Sequence, residues 1–243
     1  MSDTVIIIPS RLSAKRFPNK PLSKINGLPM IVHVMNKAKE SGVGEVFIAT
    51  PDNEIADIVK KHNGNFILTN QNHPTGTDRV FEALEKKISK TAKFIINLQG
   101  DMPNIKKDSI SKVASYIKTN QCDICTLCSF LNKKDIVNKN VVKVKVKNEL
   151  DLKNFVDVED FFRESENITK IYHHIGIYAF TLDSIKRYIN APRSKKEIER
   201  NLEQMRAMEN KFIFKVGLSK TIPLSVDTKE DLIEVEKEMM NND

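Results

Sequence analysis

Short apolar runs alternate with longer stretches of helical periodicity from the start of this chain, and that alternation narrows the possible folds more than any other feature. Val5–Ile8 is an apolar run closed by Pro9. After Pro29, the residues Ile31, Val34, Met35 and Ala38 recur at helical spacing. Glu45–Ala49 is apolar again, and Asp52 stands where it can cap a helix carrying Ile55, Ile58 and Val59, which stops near Gly64. Asn65–Leu68 follows, then a helix from about Thr77 with Val80, Phe81, Leu84 and Ile88 on one face. Phe94–Leu98 breaks at Gln99-Gly100-Asp101, and a helix over roughly Asp108–Thr119 leads into the apolar segment Asp123–Phe130. Strands separated by helices of about ten residues or more predict an α/β fold, Rossmann-like, with a mostly parallel sheet covered by helices on both faces.

The later part is less regular. Val141–Val146 alternates apolar residues with lysines, as a strand wet on one side does. His174–Phe180 and Phe212–Leu218 read as strands, and Ser194–Met208 as one helix with Ile198, Leu202 and Met205 inward. Thr228 and Asp231 make a capping-box pattern that opens a last helix with Leu232, Val235 and Met239. The chain has 243 residues and no Gly/Ser linker or repeat, so one α/β domain over 1–243 with a late mixed-strand insertion is expected.

Composition excludes several classes. The formal charge is +7, but lysines are scattered among abundant acids, aromatics are 7% and Trp is absent, unlike the concentrated basic and stacking face of a nucleic-acid binder. The longest N-terminal apolar run, Val5–Pro9, falls far short of the roughly 18 residues of a spanning helix. It is also too short for a signal-peptide core, so a cytoplasmic protein without membrane insertion is expected. Cys122, Cys125 and Cys128 read C-x-x-C-x-x-C. On a strand Cys125 points away from the other two, and no fourth cysteine exists, so they are expected to be structural.

Ligands of open α/β sheets bind beyond the C-terminal ends of the strands. The loop after the first strand, from Pro9 to Pro21, lacks both the dinucleotide and the P-loop glycine patterns. It carries Arg11, Lys15, Arg16 and Lys20 and no acid, which suits a polyphosphate: arginine grips phosphate oxygens in pairs, and lysine acts as a point charge. Gly100 permits a tight turn that would set the Asp101 carboxylate over the sheet edge, and Asp227 supplies a second carboxylate just before a helix. Mg²⁺ takes one or two carboxylates together with substrate phosphate oxygens, so a metal–nucleotide site is the better reading of these residues together.

IIIPSRLSAKRFPNKPL, HPTGTDR (His73–Arg79), LQGDMP (Leu98–Pro103), HIGIY (His174–Tyr178), LEQMRAMEN (Leu202–Asn210) and VDTKEDL (Val226–Leu232) occur in one order over nearly the whole chain. Together they resemble the 3-deoxy-manno-octulosonate (Kdo) cytidylyltransferases. The resemblance implies a fold of nucleotide-diphospho-sugar transferase type, a homodimer, and conversion of CTP and Kdo to CMP-Kdo and pyrophosphate for lipopolysaccharide synthesis. It places a sugar-binding and dimerisation portion at about 141–225. By motif, Arg11, Arg16 and Lys20 would hold the triphosphate, with Thr75, Gly76, Thr77 and Gln99 lining the nucleotide pocket. Asp101 and Asp227 would bind Mg²⁺ and, with Arg11 and Lys20, form the catalytic set. Arg79, His174, Tyr178, Glu203 and Gln204 would face the sugar acid.

The chain departs from the family pattern twice. Met102 stands where the family commonly has Glu. Asn154-Phe155-Val156-Asp157 stands where it usually reads Tyr-Phe-Ser-Arg, with Phe161-Phe162-Arg163 as an alternative alignment. An acid in place of a cation motivates a second reading, the same reaction on an amino-substituted Kdo or another nonulosonate. A nucleotide-binding protein without catalysis is the reading from a different class.

Overall fold

The computed structural model describes residues 2–13, 16–87, 92–119, 121–164 and 169–241. Lys15 of the basic loop and Ile88 of the third helix lie outside the described residues. The elements of the first part are β1 (Thr4–Pro9), a 3₁₀ turn (Lys20–Leu22), β2 (Lys24–Ile25), β3 (Leu28–Pro29), α1 (Met30–Glu40), β4 (Glu45–Thr50), α2 (Asn53–Lys61), β5 (Asn65–Leu68), α3 (Gly76–Lys87), β6 (Phe94–Leu98) and α4 (Lys107–Thr119). There follow β7 (Ile124–Ser129), α5 (Lys133–Val137), β8 (Lys143–Val146), β9 (Phe155–Phe162), β10 (Ile171–Thr181), α6 (Leu182–Asn190), α7 (Lys195–Arg200), α8 (Met205–Glu209), β11 (Phe214–Leu218) and α9 (Lys229–Asn241).

The chain divides into two compact units: Met1–Ser111 with Pro223–Asp243, and Lys112–Ile222. The second unit therefore opens within α4, ahead of residue 141, where the sequence pattern changes. In the first unit, β1 pairs in parallel with β4 and β6, and β4 with β5. Every residue of β1 is buried, which is why its sequence is a continuous apolar run rather than an alternating one. Met30, Ile31, Val34, Met35 and Ala38 of α1 and Ile55 and Val59 of α2 are buried at helical spacing, as their periodicity requires. Val226 and Val235 pack with Phe17, Ile25 and Met30, flanked by Leu224, Leu232 and Met239. This cluster pins the returning chain and α9 beside the basic loop, each fully buried side chain contributing about 1.5–3 kcal/mol.

In the second unit β10 pairs antiparallel with β7 and β8, β8 with β9, and β9 with β11, while β11 runs parallel to β7. The pairings close into a circuit, so none of these five strands is left with an open edge. Phe161, His174, Tyr178 and Phe214 meet between them, with ring centroids 5.1–6.4 Å apart.

Several local expectations are corrected. Ser194–Met208 is two short helices, because Asn201 adopts a left-handed conformation (φ 51°) between them, and Ile198 is 60% exposed rather than inward. Buried Glu197 and Arg206, 2.8 Å apart, tie α7 to α8. The strand at Val141–Val146 is not wet on its lysine side throughout: Lys143 is buried, its ammonium donating to the carbonyls of Asn138 and Arg163. β9 and α6 were not foreseen. β9 sets Phe155 flat on Tyr116 at 3.7 Å, over Gly217, where a Cβ would come within 2.6 Å of the Phe155 ring. Cys125 does not point away from Cys122. β7 begins at Ile124, so the strand alternation does not reach Cys122, and the two thiols hydrogen-bond. All three cysteines are buried and unbridged.

Candidate active site

The first unit carries a cleft of about 230 Å³ at the C-terminal ends of β1 and β6, lined by residues of the basic loop, the segment His73–Gly76 and Gln99-Gly100-Asp101. Glycine at position 100 keeps its floor open, since a Cβ there would sit tightly, 3.1 Å from the Pro9 carbonyl and 3.4 Å from the Ile31 and Ile8 side chains. The basic loop is folded by its own polar groups. Asp52 makes no side-chain bond to the helix it was expected to cap; its carboxylate accepts from the Leu12 amide at 2.8 Å instead. Asn19, at φ 59°, closes the turn with its amide on the Leu12 carbonyl and delivers Lys20 into the cleft.

Lys20 donates to the Val226 carbonyl at 2.6 Å and lies 3.3 Å from Asp101 Oδ2 and 3.5 Å from Asp227 Oδ1. Burial pulls its pKa down, but the two carboxylates outweigh burial and raise it, so the ammonium stays charged. The Val226 amide donates to the Asp101 carbonyl, and Asp231 accepts from the amides of Asp227 and Thr228 while Thr228 caps the Asp231 amide. The capping box foreseen from the sequence thus also fixes the backbone of Asp227. Arg16 pairs with Asp227 Oδ2 at 3.2 Å, from a half-exposed position.

The opposite wall is the N-terminus of α3, where Thr75 accepts from the Asp78 amide and donates to its carboxylate. A helix N-terminus attracts anions through its dipole. Arg79 lines the cleft, but it is 3% exposed, donating to Thr69 Oγ1 and to the carbonyls of Asn70 and Gln71. Burial and then the nearby charge of Arg11 lower its pKa, as expected for cations gathered where an anion would sit.

Of the residues read from the sequence, the structure gathers Arg11, Lys20, Thr75, Gly76, Gln99 and Asp101 around this cleft, with Asp227 and Arg16 joined through ion pairs. Thr77 is not on the wall. It is buried behind it, its hydroxyl accepting from Asn97, whose own oxygen accepts from Gln99. Arg79 stands with this set, in a different unit from His174, Tyr178, Glu203 and Gln204. Those four belong to the second unit, and all but half-buried Glu203 are buried. His174 Nε2 is 3.0 Å from the Thr126 hydroxyl, and burial holds its pKa down at about 3, so the ring is neutral. Burial, then the charge of Glu203, pushes the Tyr178 phenol well up. Ser10, Pro21, His73 and Pro74 also line the cleft. Each sits inside a motif visible in the sequence, but nothing in the sequence says which way its side chain faces.

The donor set suits a hard cation. Asp101 and Asp227 present carboxylate oxygens from two segments to one point, now held by Lys20, and among the described residues no group of three or more His, Cys, Asp or Glu side chains gathers. Mg²⁺ uses such a pair when phosphate oxygens and water complete its octahedron. Met102, in place of the family's acid, is 3% exposed and adds no donor.

A family model for cytidylyltransferases matches residues 5–222. A 3-deoxy-manno-octulosonate cytidylyltransferase of Rhodopseudomonas palustris (strain BisB18) is 38% identical over 235 residues, covering 94% of each chain. One from Thermodesulfovibrio yellowstonii is 37% identical over 251 residues, covering 96% of this chain and 97% of the relative. Among solved structures, CMP:2-keto-3-deoxy-manno-octonic acid synthetase complexed with CTP superposes with a TM-score of 0.88 at 31% identity, over 99% of this chain and 100% of the other. UDP-glucose pyrophosphorylase complexed with UDP-glucose, at 13% identity and a TM-score of 0.75 over the full length of both chains, shares the fold alone. With a basic loop and paired carboxylates at the end of a parallel sheet, and relatives alike along almost the entire chain, this protein belongs to the cytidylyltransferase family, with the 3-deoxy-manno-octulosonate cytidylyltransferases.

Proposed function

We propose that the chain activates Kdo with CTP, giving CMP-Kdo and pyrophosphate for lipopolysaccharide synthesis. The observation that carries this reading is the convergence of Lys20, Asp101 and Asp227 beside the N-terminus of α3, in a chain alike over nearly its full length to enzymes named for this reaction. The anomeric hydroxyl oxygen of the sugar bonds to the α-phosphorus and releases its proton to water, while the bond from the α-phosphorus to the α,β-bridging oxygen breaks and its electron pair leaves with pyrophosphate. The chain's own residues supply position and charge. Arg11 and Lys20 neutralise the departing phosphates, and Lys20 stays protonated because two carboxylates hold its proton. The Thr75–Gly76 end of α3 and Gln99 bind the nucleotide, while Arg79 keeps the loop after β5 closed against α3. Asp101 and Asp227 would hold Mg²⁺, which supplies charge neutralisation at the α-phosphate and lowers the pKa of an attacking hydroxyl.

By motif the sugar acid falls to Arg79, His174, Tyr178, Glu203 and Gln204, all buried except half-buried Glu203. Asp157, which motivates the amino-sugar alternative, is 2.8 Å from Lys215 on the adjacent strand, so its charge is already balanced and Kdo is the better-supported substrate. Exposed Phe130, Val137 and Ile213 in the same unit suit a homodimer interface. Among the described residues no helix is long and apolar enough to cross a membrane.

Pyrophosphate release with CTP and Mg²⁺, offering Kdo, 8-amino-Kdo and a sialic acid in parallel, tests the reading. Turnover is expected with Kdo; turnover only with another acid reassigns the sugar, and silence with all three despite tight CTP binding supports a binding protein. Asp101→Asn and Asp227→Asn are each expected to lower kcat/KM by about 10²–10³-fold with the far-UV spectrum unchanged. Normal turnover in either variant removes the metal assignment.

A further inference from the structure

Cations of the loop after β1 cover the carboxylate pair of the cleft. Lys20 Nζ is 3.3 Å from Asp101 Oδ2 and 3.5 Å from Asp227 Oδ1, and Arg16 takes the other Asp227 oxygen at 3.2 Å. Two positive charges therefore stand against two negative ones. Lys20 is held further by the Val226 carbonyl, to which its ammonium donates at 2.6 Å, and its side chain is 14% exposed. The carboxylates are positioned independently of these cations. The Val226 amide donates to the Asp101 carbonyl, and Asp231 accepts from the amides of Asp227 and Thr228, so both segments are fixed through their backbones. Lys20, by contrast, reaches the pair on a flexible four-carbon stem, and it also lines the cleft where a triphosphate would lie.

We propose that Lys20, with Arg16 beside it, is an internal counter-ion that keeps divalent cations off Asp101 and Asp227 until a nucleoside triphosphate draws it away, so that metal binding waits on the nucleotide. The inference rests on the metal–nucleotide reading given above. A divalent cation such as Mg²⁺ needs the same oxygens, at about 2.0–2.1 Å, and would stand beside an ammonium of like charge. To bind alone it must displace Lys20 from two carboxylates and a carbonyl, and leave that cation without partners in a part-buried site. A triphosphate changes the exchange. Its oxygens accept from the ammonium and the guanidinium, and the carboxylates are released to a metal whose shell the phosphate completes.

Equilibrium dialysis of Mn²⁺, an oxygen-ligated stand-in for Mg²⁺, against the full-length chain without nucleotide reads the metal affinity of the carboxylates directly. Wild type is expected to bind weakly, and Lys20→Met about tenfold or more tightly, because a like charge at close range is gone. The gain should vanish in Lys20→Met/Asp227→Asn. Equal affinity in wild type and Lys20→Met, or a gain that survives the loss of Asp227, overturns the inference. Arg16→Gln, at a half-exposed position, should gain about threefold. If Lys20→Met does not fold, unchanged affinity in Arg16→Gln overturns the inference instead. Mn²⁺ retained with CTP present, compared between wild type and Asp101→Asn, tests the metal reading separately. If the loss of Asp101 changes nothing there, the metal assignment falls and this inference with it.

Discussion

At Lys20 one ammonium serves two carboxylates and a backbone carbonyl, and it reaches them from a loop far away in sequence. Lys20→Met removes the charge and keeps the stem. Steady-state kinetics should show the KM for CTP rising about tenfold or more, since a charge-assisted contact to phosphate is lost. An unchanged KM would place the triphosphate elsewhere. Residue types were legible in the sequence: Arg11, Lys20 and Asp101 do line one cleft, and Asp227 meets Lys20. Orientation was not. Asp52 looks like a cap and instead holds the Leu12 amide, and Thr77 looks like a pocket residue and instead braces Asn97. Each difference is a side-chain direction, set by neighbours distant in sequence.

Among the elements, α9 couples stability to the site. Its capping box is worth about 1 kcal/mol in a helix of this kind, and here the Asp231 carboxylate also takes the Asp227 amide. Asp231→Ala is expected to cost about 1 kcal/mol in denaturant unfolding and to lower kcat as well, because Asp227 loses its backbone tether. A stability loss with full turnover would show the tether to be unneeded. β1 was readable because burial on both faces leaves an unmistakable apolar run. β9 was not, since FVDVEDFF mixes acids with aromatics and packs against partners distant in sequence, among them Tyr116, Gly217, His174 and Phe214. The split of α7 from α8 turns on one left-handed residue, Asn201, which a helical pattern does not reveal.

For the chain as a whole, the closed circuit of strands in the second unit imposes a pH dependence. His174 is buried within it and titrates at about 3, against 6.5 when unfolded. The unfolded chain therefore binds the proton first, so this stabilisation is complete above pH 6.5 and is lost as pH falls towards 3. Between pH 7 and pH 5 the term amounts to about 2 kcal/mol. Denaturant midpoints at the two values should fall accordingly in wild type and less in His174→Gln; equal falls would refute the assignment. The sequence by itself determined the α/β class, the alternation of elements and the charge chemistry of the site, because periodicity and residue type are local properties that burial and phosphate recognition demand directly. Only the tertiary structure decided that Asp227 meets Asp101 through Lys20, that Arg16 takes the other Asp227 oxygen, and that five later strands close on one another. Those are contacts between segments distant along the chain, and their geometry exists only once the core has packed.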